Sequence, residues 1–160
     1  MDNFQKIELT LMVVILLFGV AFFILAYRSG TISGFFALDN KKMASPSDFL
    51  KDKDIEANND SVIIHVNNPI LSKYANSGSM LPLINKNSNG IEIKPKSEAD
   101  INIGDIITFK QNGNLVIHRV IEKGFDDFGI YFITKGDNNE ANDEKVRFEQ
   151  VESILIAVIY

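Results

Sequence analysis

Cysteine is absent from the 160 residues. Disulfides, thiolate nucleophiles and cysteine metal ligands are therefore excluded, and the redox compartment leaves no mark on the sequence. Tryptophan is also absent, and only two histidines are present. Zinc coordination has too few soft or imidazole ligands to draw on, so no metal or other cofactor is expected. Positive charge is in deficit, with 16 Lys and Arg against 21 Asp and Glu, a net charge of −5 and a pI near 5.0. That balance excludes a binder driven to nucleic acid by phosphate attraction. What abounds instead is Ile, Val and Phe, the palette of a β-rich core. The length suits one domain plus an accessory segment.

Leu9 to Tyr27 reads LTLMVVILLFGVAFFILAY, without a charge and with no polar face. A helix buried in a soluble core keeps one polar side, and this stretch has none. At a rise of about 1.5 Å per residue it reaches roughly 28 Å, close to the ~30 Å hydrocarbon core of a bilayer. A cleaved leader has a shorter apolar region followed by a small-x-small site, and AYRSGT is a poor one. The expected organisation is a short tail over 1–8, a transmembrane helix over 9–27, a connector over 28–45 and a β-rich domain over 46–160. Counting Lys6 before the span against Arg28, Lys41 and Lys42 after it slightly favours a cytoplasmic C-terminal side.

Strand signals dominate beyond the connector. SPSDFLKDKDI suits a short helix capped by Ser or Asp. SVIIHV is an apolar run, and ILSKYA resumes after Pro69. INKNSNG is a turn cluster, with Asn89-Gly90 as its turn, and IEIKP alternates with Ile91 and Ile93 on one face. Asn112-Gly113 in QNGN predicts a tight hairpin between IITFK and LVIHRVIEKG. FGIYFITK and VESILIAVIY complete the set. Six or more short strands with hairpin punctuation predict a mainly β fold, an antiparallel barrel or sandwich preceded by one N-terminal transmembrane helix.

Three polar spots stand out in this apolar half: SGSMLP at Ser77 to Pro82, VIHRVI around His118, and TKGDNNEAND with Asp137 and Asp143. A hydroxyl is a poor nucleophile until a neighbour accepts its proton, and imidazole suits that task because its ordinary pKa lies near neutral pH. The base needs an acceptor on its other nitrogen, which an aspartate provides. His65, in VIIHV, reads as a packed or surface histidine. TKGDNNEAND does not fit a calcium loop, because Ala141 and Asn142 stand where an EF-hand needs a ligand and a glycine. No G-x-S-x-G elbow surrounds Ser79, which argues against an α/β-hydrolase.

In this order the three boxes resemble those of the type I signal peptidases, in their archaeal and endoplasmic-reticulum branch. The resemblance runs from about Ser77 to the C-terminus, and IGDIITF is similar to the family's Gly-Asp strand. It implies Ser79 as nucleophile, His118 as general base, Asp143 as the acid orienting the histidine and Asp137 as a supporting aspartate. It also implies an oxyanion hole from the Ser77 hydroxyl and the Ser79 N–H. Gly78 allows close backbone approach, Pro82 stiffens the turn, and Met80 walls the substrate pocket or rests at the membrane interface. Met80 and Pro82 thus stand as expected substrate-binding residues.

The implied activity is a membrane serine endopeptidase removing signal peptides from exported preproteins after small residues. Its implied partners are preprotein signal peptides and the lipid bilayer, with membrane-protein complexes left open. The implied location is a cell membrane crossed once, with an extracytoplasmic catalytic domain. That orientation opposes the slight charge bias, but Lys41 and Lys42 lie well past the span. Two rival readings share these residues: a processing peptidase for pilin-like or surface-layer precursors, and an inactive anchored β-domain that binds signal sequences.

Overall fold

The computed structural model describes residues 12–22 and 43–160. The chain divides into one unit up to Lys42 and a second from Met43 to Tyr160. Residues 12–22 form a helix whose residues are all exposed. Among the described residues no helix is long and apolar enough to cross a membrane. The ends of the expected 9–27 span, and most of the 28–45 connector, lie outside the described residues.

The second unit is mainly β and its pairings are antiparallel. Strands β1 (Ile55–Ala57) and β2 (Val62–Ile64) form a small two-stranded sheet. The others are β3 (Ile70–Lys73), β4 (Asn89–Ile93), β5 (Ile106–Gln111), β6 (Asn114–Asp126), β7 (Gly129–Lys135), β8 (Lys145–Val146) and β9 (Val151–Ile159). They build a seven-stranded sheet in the order β3-β4-β9-β5-β6-β7-β8. The near-continuous apolar run of β9 suits its place between β4 and β5, where both edges are paired.

The β5–β6 hairpin closes as its sequence predicts. Asn112 and Gly113 have φ of 50° and 79°, the left-handed pair that a tight hairpin needs. Two other expectations need correction. SPSDFLKDKDI yields only a single 3-10 turn, Asp52–Asp54, because β1 begins at once at Ile55. Asn89-Gly90 is not a turn: both residues lie inside β4, with Gly90 opposite Ser72 and Val158.

One core cluster joins Phe109, Phe132, Ile101, Ile107, Val120 and Ile154, with Val146 and Val151. Phe109 and Phe132 are fully buried. Burying a phenylalanine stabilises by roughly 1.5–3 kcal/mol relative to exposure, so these two rings help pin β5 to β7. A second cluster of Met80, Ile84, Ile106 and Leu155 lies beneath the serine loop. The alternation of β4 runs against its polarity, since Glu92 is 1% exposed while Ile91 and Ile93 are half-buried.

Candidate active site

The serine loop follows β3. Gly78 takes a φ of 74°, a conformation that a side chain would strain, and so turns the chain ahead of Ser79. The backbone folds back on itself through Leu81 N–H to Gly78 O at 3.2 Å and Ile84 N–H to Met80 O at 2.9 Å. Met80 is 3% exposed and anchors the loop in the second core cluster. Its Sδ also accepts the Asp137 N–H at 3.5 Å. Pro82 is exposed and does not border the cavity described below.

The loop after β7 clamps the serine loop from the other side. Asn138 donates its N–H to Ser79 O at 2.8 Å, and its side-chain amide reaches Gly78 O at 3.1 Å. Gly136 is required there, because a Cβ at this position lies 2.7 Å from the Ser79 carbonyl oxygen. The KGDNN box therefore holds the backbone of Ser79 as well as supplying carboxylates.

His118 sits on β6 opposite Ile107, with a side chain 8% exposed. Its Nδ1 lies 2.6 Å from Asp143 Oδ2, and Thr134 donates its hydroxyl to the same oxygen at 2.7 Å. Asp143 N–H donates to Thr134 O at 2.8 Å, so the carboxylate is fixed through both its backbone and its side chain. The Phe109 ring is tilted 60° to the imidazole, with centroids 6.4 Å apart. That contact and the carboxylate restrict the ring's rotation.

Asp137 lies against Arg119 rather than against the histidine. Arg119 Nε and Nη2 bond Asp137 Oδ1 and Oδ2 at 2.8 and 2.7 Å, a bidentate pair with side chains only 7% and 2% exposed. Nη1 of Arg119 continues to Gly104 O at 2.9 Å. This ties the strand carrying His118 to the Gly-Asp turn before β5. Arg119, Thr134 and Asn138 escaped the sequence reading. A charge inside the apolar VIHRVI run was the only hint of the first, and the other two act through contacts that no local pattern marks.

Ser79 and His118 line one cavity of about 430 Å³, together with Tyr74, Glu92 and Thr108. Among the described residues no hydrogen bond joins Ser79 to His118. The Ser79 hydroxyl shares a 3.1 Å contact with the Ser77 hydroxyl, and the Ser79 N–H donates to Ser77 Oγ at 3.3 Å. Both contacts sit at the long end of the hydrogen-bond range. His65 stands apart on the surface, bonded to Glu56 at 3.0 Å. Among the described residues no group of three or more His, Asp or Glu side chains is placed to hold a metal ion. Comparison with protein-family models, with curated proteins and with solved structures finds no match to this chain.

Proposed function

We propose that this chain is a membrane-anchored serine endopeptidase that removes N-terminal signal peptides from exported preproteins. In this reading the antiparallel sheet is the barrel or sandwich of a signal-peptidase-like domain. The observation that carries it is the 2.6 Å His118–Asp143 contact, with His118 and Ser79 lining the same cavity. A histidine held by a carboxylate on one nitrogen, beside a cavity lined by a serine, is the constellation that acyl transfer needs.

Ser79 Oγ attacks the scissile carbonyl while His118 takes its proton. The Asp143 carboxylate, acting through Nδ1, offsets the imidazolium charge that forms. The tetrahedral oxyanion draws the Ser79 N–H and the Ser77 hydroxyl away from their long mutual contacts. Each such donor is worth roughly 2.7–4 kcal/mol in the transition state. Collapse of the intermediate expels the amine of the mature protein, which takes the proton from His118. Water then attacks the acyl-enzyme, with His118 as base, and releases the signal peptide as a carboxylate.

The sheet supports an extended substrate. β6 is paired with β5 from Asn114 to Arg119 but meets β7 only from Arg119 onward. Among the described residues, the second edge of Leu115–Ile117 has no strand partner, and β3 closes the sheet on one side. Both segments border the cavity, so a peptide can add there as a strand. An anchor in the bilayer keeps such an edge near membrane-held substrates and raises their effective concentration.

The test is cleavage of a model preprotein by the full chain in detergent. Ser79→Ala is expected to abolish turnover and to prevent trapping of an acyl-enzyme. Unchanged turnover removes the assignment.

A further inference from the structure

Asp105 is fully buried, and its carboxylate is met by backbone N–H groups from two distant parts of the chain. Asn102, in its own turn, donates to Oδ2 at 2.8 Å, and Ser47 donates to Oδ1 at 2.6 Å from 58 positions away in sequence. Asn102 Nδ2 also reaches Ser47 Oγ at 3.2 Å. Gly104 lets the two segments meet: its φ is 103°, and a Cβ there would collide with the Ser45 carbonyl oxygen and lie 2.8 Å from the carbonyl carbon. Residues 44–47 thus lie as a strap over the Gly-Asp turn before β5.

A short relay joins this strap to the serine loop. The turn beneath it is zipped to β6 by Gly104 N–H to Val120 O and by Val120 N–H to Asp105 O, both at 2.8 Å. Arg119, one residue earlier, spreads its guanidinium between the two sides. Its Nη1 donates to Gly104 O at 2.9 Å and to Ala44 O at 3.4 Å, while Nε and Nη2 hold Asp137. Asp137 lies in the loop that clamps the Ser79 carbonyl, and its N–H meets Met80 Sδ. Lifting the strap leaves Asp105 Oδ1 without its donor in a buried place and frees one arm of Arg119. The strap itself is lightly held, because residues 43–46 are exposed and Pro46 has no N–H to give. A segment with so few buried contacts opens locally while the sheet stays folded.

Resting on the peptidase reading, we infer that the strap is a regulatory latch on the serine: docked, it holds Arg119 and Asp137 in the geometry that fixes Ser79, and lifted, it slows acylation. Asp105 is the positioning residue that captures it. Residues 44–47, Gly104, Asp105 and Arg119 do not border the substrate cavity. A load or partner that draws the strap off the turn therefore lowers kcat and leaves substrate binding as it was.

The experiment uses the detergent-solubilised full chain and a model preprotein, with kcat and KM measured separately. Hydrogen exchange over residues 43–49 reads strap release, and the rate of Ser79 labelling by a fluorophosphonate reads serine reactivity. Ser47→Pro removes the N–H that Asp105 accepts, and Gly104→Ala drives a methyl against the strap. Both are expected to speed exchange and to lower kcat and labelling by about tenfold or more at nearly unchanged KM, since a misplacement of ~1 Å can cost a hundredfold. Ser47→Ala keeps the N–H and is expected to lose less. Combined with Asp137→Asn, Ser47→Pro is expected to cost less than the product of the two single losses, because both act through Arg119. If Gly104→Ala loses its β signal in circular dichroism, Ser47→Pro decides. Parental kcat and labelling in a folded variant, unchanged exchange in both, a loss confined to KM, or a fully multiplicative loss each overturn the inference while leaving the peptidase reading in place. A parent protein that cleaves no preprotein, and whose Ser79 takes no label, overturns the peptidase reading and this inference with it.

Discussion

Asp143 and Asp137 belong to one sequence box, yet their side chains have different neighbours. Asp143 meets the imidazole of His118, whereas Asp137 neutralises the buried guanidinium of Arg119. Their amide variants should therefore fail in different ways. Asp143→Asn keeps the shape but presents the wrong partner to Nδ1, and cleavage is expected to fall on the order of 10⁴-fold with little change in melting temperature. Asp137→Asn strands a buried cation, which costs roughly 3–5 kcal/mol of stability, and below its melting temperature it retains more activity than Asp143→Asn. Parallel thermal melts and single-turnover rates check the pair; the reverse ranking means the two roles were exchanged. In the sequence the residues alone marked both aspartates as candidates and the family resemblance divided their roles, but the partner of Asp137 was not legible. Arg119 and Asp137 meet only because the fold brings β6 and the loop after β7 together.

At the scale of elements, the loop after β7 is a clamp whose tolerance is set by Gly136. Its α-carbon faces the Ser79 carbonyl oxygen so closely that one added methyl must displace one loop or the other. Gly136→Ala is expected to lower cleavage by at least about tenfold, since a misplacement of ~1 Å at the reacting centre can cost a hundredfold. The sheet signal in circular dichroism should stay unchanged, and parental activity in a folded variant shows that the clamp is dispensable. Strands and their turns were largely legible: the Asn112-Gly113 hairpin, the apolar run of β9 and the aromatic and β-branched run of β7 carry local signals. Gly90 was not, because Asn-Gly is locally a turn signal while the demand on Gly90 comes from Tyr74, distant in sequence, whose ring a Cβ there would meet. Glu92 misled for the same reason, since alternation tells which residues share a face but not which face is buried.

Across the whole molecule, acid stability depends partly on a site remote in sequence from the serine loop. Asp126, at the end of β6, is bonded by Lys145 at 2.6 Å and by Arg147 at 2.8 Å. Lys145 first, then Arg147, lower its carboxyl from an ordinary 3.8 to about 2. A folded value below the unfolded one adds stability that is complete above the ordinary value and drains away as pH falls from 3.8 toward 2. Because the group is solvent-accessible, salt should weaken the effect. Urea midpoints for the parent and for Asp126→Asn are expected to differ at about pH 5 and to converge near pH 2. A constant gap across that interval means the contribution is not ionic.

The β6 strand carries one more implication. His118 and Arg119 are neighbours on a ladder whose side chains flip sides at each step, and both are buried, one toward the serine cavity and one toward the Gly-Asp turn. The chemistry of the cavity is thus encoded as a parity, kept by the count of residues between the Asn112-Gly113 corner and His118. One residue inserted along Leu115–Ile117 without a compensating bulge would carry Ile117 into the place opposite Ile107 that His118 holds and turn the imidazole to the other side of the ladder, so the proton acceptor would be lost with every other side chain intact.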